Sequence, residues 1–273
     1  MLKRMRAIRF SLKKISNKLF CYLDTLKGSS SLPDDFQTRE ITNVITETIK
    51  GQDVFFHAGL SKLKKVLKND DPFSFLLSLA RESNSFMAPA FTPSFRKTGV
   101  YHKKYSIPEY GVFSKLMMNH AERRTDDCIH SIYTIGDFSF KDCDHHDTFS
   151  QRGCYAKICD DNVLIVNIGT RSLVSTQFHY IERACKCPYV DQESFKGVIY
   201  RDDTDFSFVE QISYRYTEKY IMWDRGKIKK HLVRTGVLRE YEIDGLQVSF
   251  FRAGDMFECI SKSILKDPYF LIV

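Results

Sequence analysis

The run at residues 162–168, NVLIVNI, constrains the fold most. It is apolar at successive positions, so neither of its faces suits water. Asp160-Asp161 turn into it and Gly169 closes it. A strand apolar on both faces belongs to a sheet covered on two sides by helices. Residues 54–56, 86–92, 129–135 and 197–201 read as further short strands, and residues 241–251 as a hairpin around Asp244-Gly245. Helical stretches alternate with them. Residues 38–50 place Ile41, Val44, Ile45 and Ile49 on one face, and a Lys/Leu-rich stretch follows Ser61. Pro72 opens a helix running to Ala80, and further helices are expected over 110–122, 177–184 and 253–265. The expectation is an α/β fold: a layered α/β/α single domain with a central mixed sheet, preceded by an N-terminal amphipathic helix.

The charge of the chain is lopsided. It carries 41 Lys+Arg against 34 Asp+Glu, a net of +7. Residues 1–18 hold seven of the basic side chains and no acid, so the remaining 255 residues balance at 34 against 34. In the arm, Met1, Met5, Ile8, Leu12, Ile15, Leu19 and Tyr22 recur at alternating steps of four and three, the seam of an amphipathic helix. The Gly28–Ser31 stretch and Leu32-Pro33 break that period, dividing the chain into an arm and linker at 1–31 and a domain at 32–273. Three roles for the arm compete: packing on its own domain or, in a homodimer, on a partner subunit; weak contact of residues 1–27 with an anionic membrane surface; and nucleic-acid binding. The last is least favoured, because the neutral body does not continue the basic surface. A signal peptide does not fit, since charges interrupt the stripe; a mitochondrial presequence would have the same basic, acid-free character.

Eight cysteines in a long chain without a secretory signal point to reduced thiols and a cytoplasmic location. Cys185-Lys-Cys187 is not a zinc-ribbon spacing. Asp142-Cys143-Asp144-His145-His146-Asp147 has metal-ligand composition but lacks a second half at regular spacing, so a polar loop is the expectation and no metal is assigned. No Walker A, GxGxxG or GxSxG pattern occurs.

The chemistry-bearing segment is Thr176-Gln-Phe-His179-Tyr-Ile-Glu182, directly after the most strand-like run. Three residues apart on a helix, His179 and Glu182 share a face. A carboxylate orients an imidazole and leaves its other nitrogen free to take a proton. Thr176, one turn earlier, is placed to donate to a developing oxyanion. Alone, an HxxE pair more often marks a satisfied surface contact.

Its company narrows the reading. In order come a VFFHAGLS strand–loop–helix, a MAPAFT strand, an RTDDCIHSIYTIG segment, the NVLIVNIG strand leading to TQFHYIE, and a C-terminal FRAGD. This ordered set, over residues 35–270, resembles the aminoglycoside 3-N-acetyltransferase family, also called the antibiotic N-acetyltransferase family. The resemblance implies direct acyl transfer from acetyl-CoA or another short acyl-CoA to an amine. Carried over, His179 is the general base, Glu182 its orienting partner, and Thr176 lies near the thioester. His57, Ala58, Gly59, Leu60 and Ser61 match the coenzyme loop, with Thr92 closing the strand beside it. Asp127, His130 and Ser131 match the substrate cleft. The chain departs from the family at Ala58 and Gly59, which replace serines, at Cys128, which replaces a proline, and at Ser175, which replaces an asparagine. Small residues in the loop leave room for an acyl group larger than acetyl.

Aminoglycosides are polycations, and their binding generally calls for an acidic cleft. A neutral body suits an anionic acceptor better, so the expected acceptor is an aminosugar, specifically a nucleotide-linked amino-deoxysugar of surface polysaccharide synthesis. The alternatives are an aminoglycoside 3-N-acetyltransferase and a non-catalytic binding protein on the same fold. Nucleic acid is not an expected partner.

Overall fold

The structure, a computed structural model, describes residues 34–67, 70–243 and 245–273. The helical arm, the boundary at residue 31 and the arm's contacts with membrane or partner subunit lie outside the described residues. The chain runs α1 (Asp34–Ile49), β1 (Asp53–Ala58), α2 (Leu60–Leu67), α3 (Pro72–Ala80), β2 (Ser85–Pro89), α4 (Phe95–Thr98), β3 (Val100–His102), α5 (Val112–Met117), β4 (Arg123–Arg124) and β5 (Ile132–Gly136). It continues through α6 (Cys154–Asp160), β6 (Leu164–Ile168), α7 (Gln177–Ala184), β7 (Val190–Tyr200), β8 (Phe206–Tyr216), α8 (Arg225–Arg234), β9 (Arg239–Ile243), β10 (Leu246–Arg252) and α9 (Ala253–Lys266).

A seven-stranded sheet has the order β4-β5-β2-β1-β6-β10-β9. Its centre is parallel: β1 pairs with β2 on one side and with β6 on the other. Its flanks are antiparallel, through β5 on β2 and β10 on β6, which makes the sheet mixed. The NVLIVNI run supplies β6, buried at all five positions. Alternate residues of the central strands feed two separate cores. Val54, Phe56, Phe86, Leu164 and Val166 pack against α1, α2, α3 and α5. Phe55, Met87, Ile165 and Phe251 pack on the other face against α6, α7, α8 and α9. The layers are therefore helix, sheet, helix. Ile41, Ile45 and Ile49, the stripe of α1, are fully buried, and each such side chain contributes about 1.5–3 kcal/mol of burial free energy. Asp71 caps α3, its carboxylate accepting from the Ser74 amide at 2.7 Å, with Pro72 at the first helical position.

Some elements differ in extent from the sequence pattern. The strand expected to reach Thr92 stops at Pro89, because the Ala90 and Thr92 amides donate to the Ser131 and Ile129 carbonyls outside the regular ladder. The helix expected over 110–122 is only Val112–Met117, entered through Gly111 at φ +81°. The 197–201 strand is the end of the eleven-residue β7, paired along its whole length with β8. This hairpin and β3 form a separate sheet of order β3-β7-β8.

Candidate active site

The site lies where the parallel strands end. The β1 and β6 ends touch: the Gly59 amide donates to the Ile168 carbonyl at 2.8 Å. A Cβ at Gly59 would stand 2.1 Å from the Gly169 carbonyl oxygen, and Gly169 itself has φ +62°. Both positions therefore require glycine, which accounts for Gly59 where the family carries a bulkier residue. Asn167, on β6, clamps the following loop at Val174, accepting from its amide at 2.7 Å and donating to its carbonyl at 3.0 Å. That clamp delivers the chain to α7.

On α7, His179 Nδ1 lies 3.2 Å from Glu182 Oε2. The Glu182 side chain is fully buried and that of His179 is 12% exposed. Trp223 Nε1 donates to Glu182 Oε1 at 2.7 Å, and the Tyr216 hydroxyl donates to Oε2 at 3.3 Å. The imidazole stacks on Tyr214, with ring centroids 3.7 Å apart and planes 20° apart, and meets Trp223 at 4.4 Å. Among the described residues no hydrogen bond engages Nε2, whereas Nδ1 faces Glu182 and Tyr216. Burial drives the ordinary histidine value of His179 down, assisted by Arg96 and Arg225, and pushes Glu182 up to about 8 against the hydrogen bonds from Trp223 and Tyr216. Both shifts express one cost, that of net charge in a dry site. At neutral pH the imidazole is consequently uncharged and the carboxyl holds its proton.

Thr176 occupies the N-cap position of α7 and is buried. With His57, Phe55, Tyr155, Ile165 and Ser175 it lines a closely packed, mostly apolar crevice with no open room in it. Thus the loop after β1 and the start of α7, remote in sequence, share one wall. His57 is neutral at any working pH, since burial and then Arg225 hold it down at about 3. Of the other loop residues, Ala58 and Leu60 are half-buried against the α1–α3 core, and Ser61 is exposed in the first turn of α2.

The cleft candidates divide. His130 is buried with Nδ1 unpartnered, and its ring meets Phe149 at 5.1 Å and Tyr214 at 5.8 Å, within the aromatic group around His179. Asp127, Ser131 and Thr92 are committed internally. Asp127 accepts from the Ile129 and His130 amides and the Thr148 hydroxyl at 2.5–2.8 Å, and burial raises it to about 6. Ser131 donates to the Ala90 carbonyl, and Thr92 to the Cys128 carbonyl. Arg124 is buried against Tyr101 and Tyr133 and spends its donors on Ser131 and three backbone carbonyls, not on Asp127. The Cys128 thiol faces the Asp126 carbonyl and burial raises it strongly, which removes it as a nucleophile. In the Asp142–Asp147 segment, Asp144 accepts from two loop amides and Asp147 pairs with Arg183. Among the described residues no group of three or more His, Cys, Asp or Glu is placed to hold a metal ion.

The sequence pattern alone did not single out Tyr214, Tyr216, Trp223, Arg225, Arg96 or Phe149. A signal existed for two of them: Phe206, Phe208, Ile212, Tyr214 and Tyr216 alternate along β8, broken by Glu210, which stands in register with Lys196.

The mixed sheet between two helical layers, with a buried His–Glu pair at the strand ends, is the setting in which the chain's likeness to acyl-CoA-dependent N-acyltransferases is found. The family profile described as aminoglycoside 3-N-acetyltransferase matches residues 55–264, and the chain belongs to that family. Solved structures share its fold. YokD from Bacillus subtilis aligns with TM-score 0.64 at 13% identity, covering 83% of this chain and 93% of its own. AAC-IIIb in binary complex with CoASH aligns with TM-score 0.68 at 12% identity, covering 83% and 94%. AAC-VIa with bound sisomicin aligns with TM-score 0.64 at 12% identity, covering 86% and 98%. No curated protein sequence matches the chain.

Proposed function

We propose that the chain transfers an acetyl or somewhat larger short acyl group from acyl-CoA to the amine of an aminosugar linked to a nucleotide diphosphate, in the cytoplasm, for surface polysaccharide synthesis. The observation that carries the transfer is the His179–Glu182 pair with its free Nε2. When bound, acyl-CoA supplies an activated thioester. His179 Nε2 takes the proton of the acceptor amine, which is mostly ammonium at neutral pH and cannot attack before losing it. Glu182, held by Trp223 and Tyr216, accepts from Nδ1 once its carboxyl has ionised, and then stabilises the imidazolium. Thr176, at the N-cap of α7, donates to the oxyanion.

The acceptor class rests on charge. The groups outside α7 whose charge bears on His179 are two guanidiniums, Arg96 and Arg225. A neighbouring cavity of about 460 Å³, bordered by Glu182 and Tyr214, adds Lys186. Its Arg183 is neutralised by Asp147, and its Asp191 by Arg215 at 3.0 Å. A phosphate-bearing acceptor gains from this arrangement, whereas a polycation meets like charge. A second reading, an aminoglycoside acceptor, is favoured by the fold relative that binds sisomicin. A free-thiol release assay over acetyl-CoA and longer acyl-CoAs, with a panel of nucleotide-linked aminosugars and aminoglycosides, separates the two. Turnover confined to aminoglycosides discards the nucleotide-sugar reading.

A further inference from the structure

Arg96, on α4, differs from the other arginines around the site. Arg183 pairs with Asp147 and Arg201 with Asp126, while Arg124 spends its donors on Ser131 and backbone carbonyls. Among the described residues the Arg96 guanidinium has no ion pair. Its Nη2 donates to Ser213 Oγ at 3.1 Å, and its Nε is buried without a partner. Aromatic rings hold it instead, its central carbon lying 5.4 Å from the Phe195 ring centre and 5.5 Å from that of Tyr214. A half-buried guanidinium with unspent donors costs stability, and the fold keeps it against that cost. A wall of rings leads away from it. Tyr214 meets His130 at 5.8 Å, His130 meets Phe91 at 5.3 Å, and Phe91 meets Tyr110 edge-on at 6.4 Å. Tyr110, at the outer end, is 61% exposed. Glu109 ties the two ends together: its amide donates to the Phe91 carbonyl at 2.9 Å, and its carboxylate accepts from the amide of Ser94, two residues before Arg96, at 2.7 Å. Arg225, also without an ion pair among the described residues, is anchored elsewhere, its Nη1 donating to Ser172 and to the Leu173 carbonyl after β6. Beyond burial, the charge bearing on His57 in the coenzyme loop is Arg225, whereas His179 and Arg96 bear on His130 in the cleft.

We infer that Arg96 and Tyr110 are the specificity-determining residues for the acceptor, Arg96 binding a diphosphate and Tyr110 stacking on the base of a nucleoside. For the class of acceptor the inference rests on the function proposed above. A guanidinium offers parallel N–H donors that match two phosphate oxygens, and a diphosphate brings the counter-charge that no carboxylate of the described residues brings to Arg96. An exposed phenol ring offers a face on which a base stacks. The order along the wall follows the order of such a molecule. Tyr214 touches both Arg96 and His179, on which it stacks at 3.7 Å, so the aminosugar at His179 and the diphosphate at Arg96 are neighbours. The base then lies outermost, at Tyr110. Arg225, on the side of the coenzyme loop, takes no part in this subsite.

Binding is measured by titration calorimetry on the full-length protein without acyl-CoA, using uridine, thymidine and guanosine diphosphates, with inorganic pyrophosphate as competitor. At least one nucleoside diphosphate is expected to bind and to be displaced by pyrophosphate. Arg96→Met, which keeps the apolar stem, should weaken that binding by about tenfold or more and remove the competition by pyrophosphate. Arg96→Lys should restore part of it. Tyr110→Ala should weaken the nucleoside diphosphate by about fivefold or more and leave the competition in place, while Tyr110→Phe binds as wild type. Matched melting temperatures separate these effects from loss of fold. Saturating CoA should leave nucleoside diphosphate binding unchanged; displacement by CoA, or an Arg96→Met defect confined to acyl-CoA, would assign the charge to the coenzyme and overturn the inference. Wild-type protein that binds none of the three diphosphates overturns it as well. In the acyl-transfer assay, Arg96→Met should raise KM for the acceptor and not for acyl-CoA. Turnover of a nucleotide-linked aminosugar with an unchanged acceptor KM would leave the proposed function standing and remove the subsite. Arg96-dependent diphosphate binding without acylation of any nucleotide-linked aminosugar would do the reverse.

Discussion

Glu182 stabilises the fold only while it is protonated. Its carboxyl is raised by burial to about 8, so the stability it contributes is full below its unfolded value of about 4.5 and is lost as pH rises through 8. Glu182→Gln keeps the shape without the charge. The melting temperature of the variant relative to wild type should therefore climb between pH 4.5 and 8 and then level off. A difference independent of pH would mean the carboxylate is not strained by burial. The buried histidines act in the opposite sense. His57, held at about 3, contributes stability that is full above pH 6.5 and fades toward pH 3. Activity follows the same carboxyl: kcat/KM in wild type should rise with pH through about 8, as Glu182 ionises and can accept from Nδ1, and this limb should vanish in Glu182→Gln. Trp223→Phe removes the 2.7 Å bond to Oε1 and leaves a buried carboxylate oxygen unpaired. That costs about 1–3 kcal/mol of stability by thermal or denaturant unfolding, and kcat falls with it. The pair itself was legible in the sequence because both residues stand on one short helix. Trp223 and Tyr216 were not, because they arrive from a loop and a strand more than thirty residues away, and only the fold brings them to Glu182.

At the scale of elements, the contact between the β1 and β6 ends sets the geometry. Gly59→Ala drives a Cβ into the Gly169 carbonyl, and should cost about 3 kcal/mol by denaturant unfolding, in the range of severe backbone clashes. An unchanged midpoint would show that the two loops move apart freely. The central strands and the first three helices were readable because burial and period agree there. In β1, β2 and β6 nearly every residue is buried, and in α1 the stripe falls at four-residue intervals. The β7–β8 hairpin was not. Its residues alternate half-buried and exposed, with Asp191, Glu193, Lys196 and Glu210 among them. Its stability comes from eleven paired residues and from packing of Phe195, Ile199 and Val209 on Phe95, Tyr101 and Ile129 rather than from apolar content. The substrate-cleft motif was legible as a motif but not as a division of roles. Asp127 and Ser131 hold the turn that presents His130, which sequence spacing cannot distinguish from contact with substrate.

For the whole molecule, the charge imbalance belongs to residues 1–18 and the chemistry to a region formally neutral. Deleting residues 1–31 should leave acyl transfer within about twofold of wild type while lowering retention on anionic vesicles at low salt, where screening is weakest. Loss of transfer on deletion would make the arm part of the active assembly. In the function proposed above, transfer turns on one proton acceptor. The central claim is therefore tested by following thiol release from acetyl-CoA, with a saturating aminosugar acceptor, in wild type and His179→Ala proteins of matched circular dichroism. A loss of about 10²-fold or more in kcat is expected; a variant that turns over at the wild-type rate would contradict His179 as the base.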